Sequence, residues 1–352
     1  MTESGPRPAV SIHGVGFARC PSPEALNLTE LVFEASAAAL ADAGIRRADI
    51  DGVCLAASDQ LDGRAISSMQ LAGPAGGYLK DEIKLGDDGA LAFATAVLRI
   101  EAGADRRVLA VSWTKESESS LEVALGVNAE PVYRRPAGLH PLVAEAAVTA
   151  AFLDRAGLPH PPGGPADFVC WPLRHDDFPP PTDAAVAVVL CEGPGPVEVA
   201  GLAWETEVPD PTDRRLAPEA AVAAVAARAS AEAGIVIDGS VVIETTDRTP
   251  YRLAMTLAGL GLGLGRQVEP PSLASAGPEV SPAMVGTPPA NVNPSGGLRV
   301  SNPVYAAGLE RVAHAALAVR AGAPVAVAHS SYGYAGQGQF VTILRAGTGG
   351  GR

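Results

Sequence analysis

Residues 291–310 read NVNPSGGLRVSNPVYAAGLE. The turn-rich NPSGG leads through a short polar run into a helix expected from about Val304, where Ala306, Ala307 and Gly308 leave room for close packing. Gly296 and Gly297 are adjacent, so the backbone there is free to take angles a side chain forbids, or to approach a ligand closely. Taken alone, the stretch is a loop and a helix start.

Working outward, the chain alternates short apolar strands with helical patterns. Strands are expected at 9–16, 50–57, 81–85, 108–113 and 182–191, with helices at 28–44 and 89–103. The pattern then restarts, with strands at 197–204, 239–244, 324–329 and 339–344 and helices at 218–234, 250–262 and 304–322. Such alternation implies α/β layers around a largely parallel sheet. Residues 117–180 break the rhythm. They hold one expected helix, at 141–156, and the Pro-rich runs HPPGGPADF and PLRHDDFPPP, which suits a cap folded over the body. The expected division is a first half at 1–193 that includes this cap, and a second half at 194–352. Residues 266–289 read as a long loop, and the tail AGTGGGR as a frayed end.

The 352 residues suffice for two domains or one duplicated unit. A formal charge of −13 argues against nucleic acid or an anionic membrane as a main partner. The N-terminal MTESGPRPAV has no basic, apolar signal pattern, and no run of about 18 apolar residues is uninterrupted, so a cytoplasmic location is expected. Cys20, Cys54, Cys170 and Cys191 are far apart, which disfavours a metal knuckle, and Cys54 and Cys191 lie in apolar runs as buried hydrophobes do. His175, Asp176 and Asp177 are consecutive, and three consecutive side chains rarely converge on one ion. No cofactor and no metal are expected.

Four stretches together resemble the thiolase superfamily, which includes thiolases, sterol-carrier-protein-type thiolases and β-ketoacyl synthases. ALADAGIRRADIDGV (39–53) resembles its helix-to-strand passage, and GDDGALAFATAVLRIEAGADRRVLAVSWTKES (86–117) its nucleophile helix and following strand. PLRHDDFPPPTDAAVAVVL (172–190) resembles the end of the first half, and SSYGYAGQGQFVTIL (330–344) the C-terminal Gly-rich loop and strand. Residues 291–310 then resemble the signature in which Asn and Gly-Gly precede Gly-His-Pro. The resemblance implies a five-layered αβαβα fold with two similar halves, an acyl thioester ligand and dimerisation.

It also implies where the catalytic groups should be, and this chain lacks them. The cysteine position falls on Gly86, which has nothing to acylate; Asp87 and Asp88 beside it either cap the helix or place a general base in a pocket. The histidine of the His-Asp pair falls on Thr246, with Glu244 and Asp247 at acidic positions. The Gly-His-Pro histidine falls on Asn302, whose amide remains a possible oxyanion donor. Tyr305 replaces a small residue there and is expected to narrow or fill the pocket. Tyr332 stands where thiolases often carry a second cysteine, with Tyr334 two residues on, either as an acid or as packing. His329 is the one histidine worth testing as catalytic.

Three functions follow from the resemblance. The first is a non-acylating subunit that shapes an acyl-thioester pocket for an active ketosynthase or thiolase partner, in polyketide or fatty-acyl metabolism. The second is an enzyme of altered chemistry, a retro-aldol C–C lyase or acyltransferase using Tyr, Asp or Asn; related lyases work with a small OB-fold protein. The third is an ordinary Claisen-condensing enzyme with its motifs misaligned. The carrier is coenzyme A or an acyl carrier protein, and the protein is a homodimer or a heterodimer with a ketosynthase or thiolase relative.

Overall fold

The computed structural model describes residues 8–127, 129–208, 216–262 and 289–347. Nine strands form one sheet: β1 (Val10–Arg19), β2 (Gly52–Ala56), β3 (Asp81–Leu85), β4 (Arg107–Thr114), β5 (Ala184–Glu192), β6 (Val197–Thr206), β7 (Val242–Thr245), β8 (Val325–Tyr332) and β9 (Gly338–Ala346). Their spatial order is β3-β2-β4-β5-β1-β6-β9-β8-β7. The order repeats about its centre. Outward from β1 run β5, β4, β2 and β3; outward from β6 run β9, β8 and β7. Where β3 flanks β2 in the first half, the second half shows a single parallel bridge between Ile243 and Val292. Within the sheet, among the described residues, the two runs pair at Ser11–Glu198 and Ile12–Val197.

The sheet is mixed, which corrects the expectation of a largely parallel one. β2 pairs parallel with β3 and β4, and β7 with β8, whereas β1–β5, β1–β6, β4–β5, β6–β9 and β8–β9 are antiparallel. Helical crossovers keep strand direction, but the chain passes from β4 to β5 through the 117–180 segment and from β8 to β9 by a short turn, and both reverse it.

Nine helices accompany the strands among the described residues: α1 (Leu28–Ala43), α2 (Ser68–Leu71), α3 (Gly89–Glu101), α4 (Leu121–Gly126), α5 (Pro141–Ala156), α6 (Pro218–Ala233), α7 (Pro250–Gly259), α8 (Gly297–Val300) and α9 (Ala307–Arg320). Their ends follow from the sequence. Asn27 and Glu30 close a reciprocal capping box on α1, which Gly44 ends in a left-handed conformation. Pro at the first turn opens α5, α6 and α7. The small-residue helices α3 and α9 share the central core with β1, β5, Ala326, Ala328 and Phe340. One outer core joins α1 to β2, β4 and β5, and the other joins α6 and α7 to β7, β8 and β9. The result is five layers, αβαβα, with α3 and α9 in the middle.

The one-turn helices α2, α4 and α8 are too short to show a period in sequence. α9 begins at Ala307, three residues after the expected start, and α8 occupies the run before it. Most of the expected 266–289 loop and the end of the AGTGGGR tail lie outside the described residues.

Candidate functional site

The 291–310 stretch is held by buried polar groups. Thr245 N–H donates to Asn293 Oδ1 at 2.7 Å, and Asn291 Nδ2 to the carbonyls of Gly239 and Val241. Glu244 accepts from Ser295 Oγ at 2.7 Å and pairs with Arg311 at 2.9 Å, both partners about 1% exposed. Arg311 also faces Glu310, which accepts from Arg19 at 2.7 Å and Ser301 Oγ at 3.0 Å. Burial alone would raise the Glu310 carboxyl, but His314, Arg311 and Arg19 hold it below its ordinary value. This chain of charges fixes the loop to β7 and α9.

A cavity of about 330 Å³ opens between this scaffold and the 117–180 segment. One wall is Leu121, Leu125, Leu142, Phe178 and Pro179; the other is Thr246, Arg248, Arg252, Asn302, Ser331 and the loop from Gly333 to Gly336. Three ties pin the walls together. Arg252 makes a two-point pair with Glu145 at 2.6 and 2.7 Å, Tyr334 Oη donates to the Leu139 carbonyl at 2.8 Å, and Asn302 Nδ2 donates to the Pro179 carbonyl at 3.1 Å.

Of the residues singled out in the sequence, Thr246, Asn302 and Tyr334 line this cavity. All three side chains are engaged. Thr246 Oγ1 accepts from Ser331 N–H at 3.0 Å. The Asn302 amide gives one of its two hydrogens to the Pro179 carbonyl, which ties it to the opposite wall.

The others lie elsewhere. Gly86 is exposed, and a Cβ placed on it would meet nothing within 4 Å. Asp88 caps α3, accepting from Ala90 N–H at 2.8 Å, and its second oxygen takes the Gly308 N–H at the start of α9 at 3.3 Å. Burial pushes its carboxyl up to about 7. It is a cap for both central helices, not a cavity residue. Asp87 is half-buried beside Gly333; desolvation raises its carboxyl, and Arg248 and the Asp88 N–H act against that rise. Asp247 accepts from Leu298 N–H at 2.8 Å and so anchors α8, with burial raising its carboxyl. Gly296 and Gly297 fall in the same turn; a Cβ on Gly297 would stand 2.6 Å from Asp247 Oδ2, so the glycine serves packing, not ligand approach.

Tyr305 does not fill the cavity. It packs against Leu61, Ala124 and Val304, and its carbonyl accepts from Gly89 N–H at 2.7 Å. Tyr332 is turned into the central core, bonded to Thr206 Oγ1 at 3.1 Å, and burial pushes its phenol up to about 12. That removes it as an acid near neutral pH. His329 is sealed inside, with Nδ1 accepting from Thr245 Oγ1 at 2.7 Å and Nε2 donating to Gln339 Oε1 at 2.9 Å. Burial lowers it to about 4, so it is a neutral strut. Gln339 passes the chain on to Ser331 Oγ and the Gly336 carbonyl, bracing the cavity loop.

His175 and Asp176 are exposed, while Asp177 turns inward to accept from Arg174 N–H at 2.7 Å. Among the described residues no group of three His, Cys, Asp or Glu side chains is placed to hold a metal. None of the four cysteines lines the cavity. Sequence reading passed over Arg252, Glu145, His140 and Ser331. A signal existed for two of them: Arg252 and Glu145 interrupt the apolar faces of α7 and α5, where a charge must find a partner.

No family model matches the sequence, and no curated protein sequence does. Solved structures match along nearly the whole chain. The Ltp2-ChsH2(DUF35) aldolase is similar with a TM-score of 0.67 and 17% identity, over 96% of this chain and 98% of that one. Human mitochondrial 3-ketoacyl-CoA thiolase is similar with a TM-score of 0.66 and 13% identity, over 96% of this chain and 99% of that one. Its structure in complex with CoA gives 0.66 and 13%, over 96% and 98%. At such identities the likeness is one of fold. The chain has the thiolase fold, in the two similar halves that the sequence motifs imply.

Proposed function

We propose that the protein is a non-acylating member of a thiolase-fold assembly, binding an acyl thioester in the cavity and shaping that pocket for a cysteine-bearing ketosynthase or thiolase partner. One observation carries this reading: the cavity is present and its walls are tied together, yet no cysteine lines it, so the histidine at its wall, His140, has no thiol to activate. Acyl transfer needs a nucleophile beside a base, and neither Gly86 nor the engaged Thr246 and Asn302 supplies that pair. The carrier is coenzyme A or an acyl carrier protein, and the setting is polyketide or fatty-acyl metabolism. Edge strand β3, with exposed Tyr78 and Leu79 just before it, supports pairing through the first half, as a homodimer or with a relative.

A second reading, a retro-aldol C–C lyase, is supported by the likeness to an aldolase and by the half-buried Asp87 carboxyl near Arg248. In that case the partner is a small OB-fold protein. Supplying the purified protein with a β-hydroxyacyl thioester separates the two. The subunit reading expects no aldehyde or ketone release from the protein alone, and condensation only in a mixture with a cysteine-bearing relative. Steady release by the protein alone overturns it in favour of the lyase.

A further inference from the structure

The charged residues lining the cavity are Arg248, Arg252 and Glu145. Two positive charges against one negative make this wall cationic in a protein whose formal charge is −13. Glu145 is fully occupied by Nε and Nη2 of Arg252, and Nη2 also serves the Ala335 carbonyl at 2.9 Å. Nη1 of the same guanidinium has no acceptor, although the side chain is only 4% exposed. A buried donor without an acceptor costs about 1–3 kcal/mol, so this atom is an unmet demand inside the cavity wall.

A second donor converges on the same place. Ser331 Oγ accepts from Gln339 Nε2 at 3.2 Å, which leaves its own hydrogen to give. A Cβ on Gly336 would stand 2.5 Å from Arg252 Nη1 and 2.7 Å from Ser331 Oγ. Gly336, in a left-handed conformation, thus lets the backbone pack against these two donors, which lie close together in the cavity lining. His140 adds a third donor at the wall: its Nδ1 accepts from Leu142 N–H, so the ring hydrogen sits on Nε2, which has no acceptor. Arg248 is half-buried on the same cavity and makes no ion pair among the described residues. Asp87 stands near it but beyond ion-pair contact; burial raises that carboxyl, and Arg248 acts against the rise. Facing these donors are Leu121, Leu125, Leu142 and Phe178.

We propose that the ligand carries a carboxylate, held by Arg252 Nη1, Ser331 Oγ and Arg248, with an aliphatic chain lying along the leucines and Phe178. A carboxylate offers two oxygens with about four acceptor sites, which suits a fork of guanidinium and hydroxyl donors. One net positive charge matches a monoanion better than a phosphate dianion. The inference rests on the thioester reading above and sharpens it: the acyl group is an ω-carboxyacyl chain instead of a plain one.

Calorimetry with ω-carboxyacyl-CoA thioesters of about four to eight carbons, against plain acyl-CoA thioesters of equal length, tests this. The wild-type protein should bind the best ω-carboxy ligand at least tenfold more tightly than its plain counterpart. S331A and R248Q, each made separately, should erase most of that preference, read as the ratio of the two affinities within each variant. Equal binding of both series overturns the carboxylate site and leaves the thioester reading standing. Binding of the free dicarboxylates with no binding of either thioester overturns the thioester reading and leaves the carboxylate site. If R248Q weakens free coenzyme A as much as it weakens the ω-carboxy ligand, the arginine reads carrier phosphate and the proposal fails. No binding of any probe overturns both.

Discussion

Asn302 donates its side-chain amide to the Pro179 carbonyl at 3.1 Å, while its backbone carbonyl accepts from Thr182 N–H at 3.0 Å and its N–H reaches Thr182 Oγ1 at 3.2 Å. Asn302, which the sequence resemblance sets at the histidine position, therefore ties the second half to the base of the cap. N302A should lower stability in urea by about 1 kcal/mol, the net worth of one such bond. N302H should restore no condensation; measurable Claisen product from that single variant would contradict the scaffold role.

Asp88 and Gly308 make the tightest point of the central layer. Each begins one of the two middle helices, and a Cβ on Gly308 would overlap Asp88 Oδ1. G308A should destabilise by roughly 3 kcal/mol or fail to fold, a steric cost in a packed core. Urea unfolding of G308A beside the double variant G308A/D88A checks the cause: removing the carboxyl should recover part of the loss.

Two buried groups oppose one another in their pH dependence. Asp88 is raised in the folded state to about 7, so its contribution is full below about 4 and is lost as pH rises towards 7. His329 is lowered in the folded state to about 4, so its contribution is full above about 6.5 and is lost as pH falls towards 4. Across that window the two trends offset. D88N should leave a protein whose stability climbs with pH, and H329Q one whose stability falls, each by on the order of a few kcal/mol. Urea midpoints between pH 4.5 and 7 read this directly, and parallel profiles for both variants would refute the assignment.

Gly86, which the sequence resemblance sets at the nucleophile position, gives another test. Gly86 is exposed with open space around its missing side chain, so G86C should fold within about 0.5 kcal/mol of the wild type. Its thiol should alkylate readily and yet take no acyl group from a thioester at more than background rate, because the buried His329 is sealed against Gln339 and Thr245. Fast acylation of G86C, followed by mass spectrometry, would show that a base does reach it.

The layered fold was legible because α3, α9 and the strands announce themselves by long apolar or small-residue runs, and α3 also by its Asp88 cap. The motif order of residues 39–53, 86–117, 172–190 and 330–344 carried the halves as well. Strand direction was not legible, since a Pro-rich segment and a tight turn leave no periodic trace of the reversals they impose. Among the site residues, sequence position alone could not tell Tyr334, which faces the cavity, from Tyr332, which faces the core. Two residues apart on a strand would share a face, but Tyr334 lies past the end of β8, beyond a left-handed Gly333. Arg252 and Glu145 are far apart in sequence, and only tertiary packing makes them the cationic cavity's central pair.

The central claim is that the cavity binds an acyl thioester without being acylated. Mass spectrometry of the protein with excess acyl-CoA, first under native and then under denaturing conditions, tests it most directly. A one-to-one complex that disappears on denaturation, leaving the unmodified chain, is the predicted result. A stoichiometric acyl adduct that survives denaturation would contradict it.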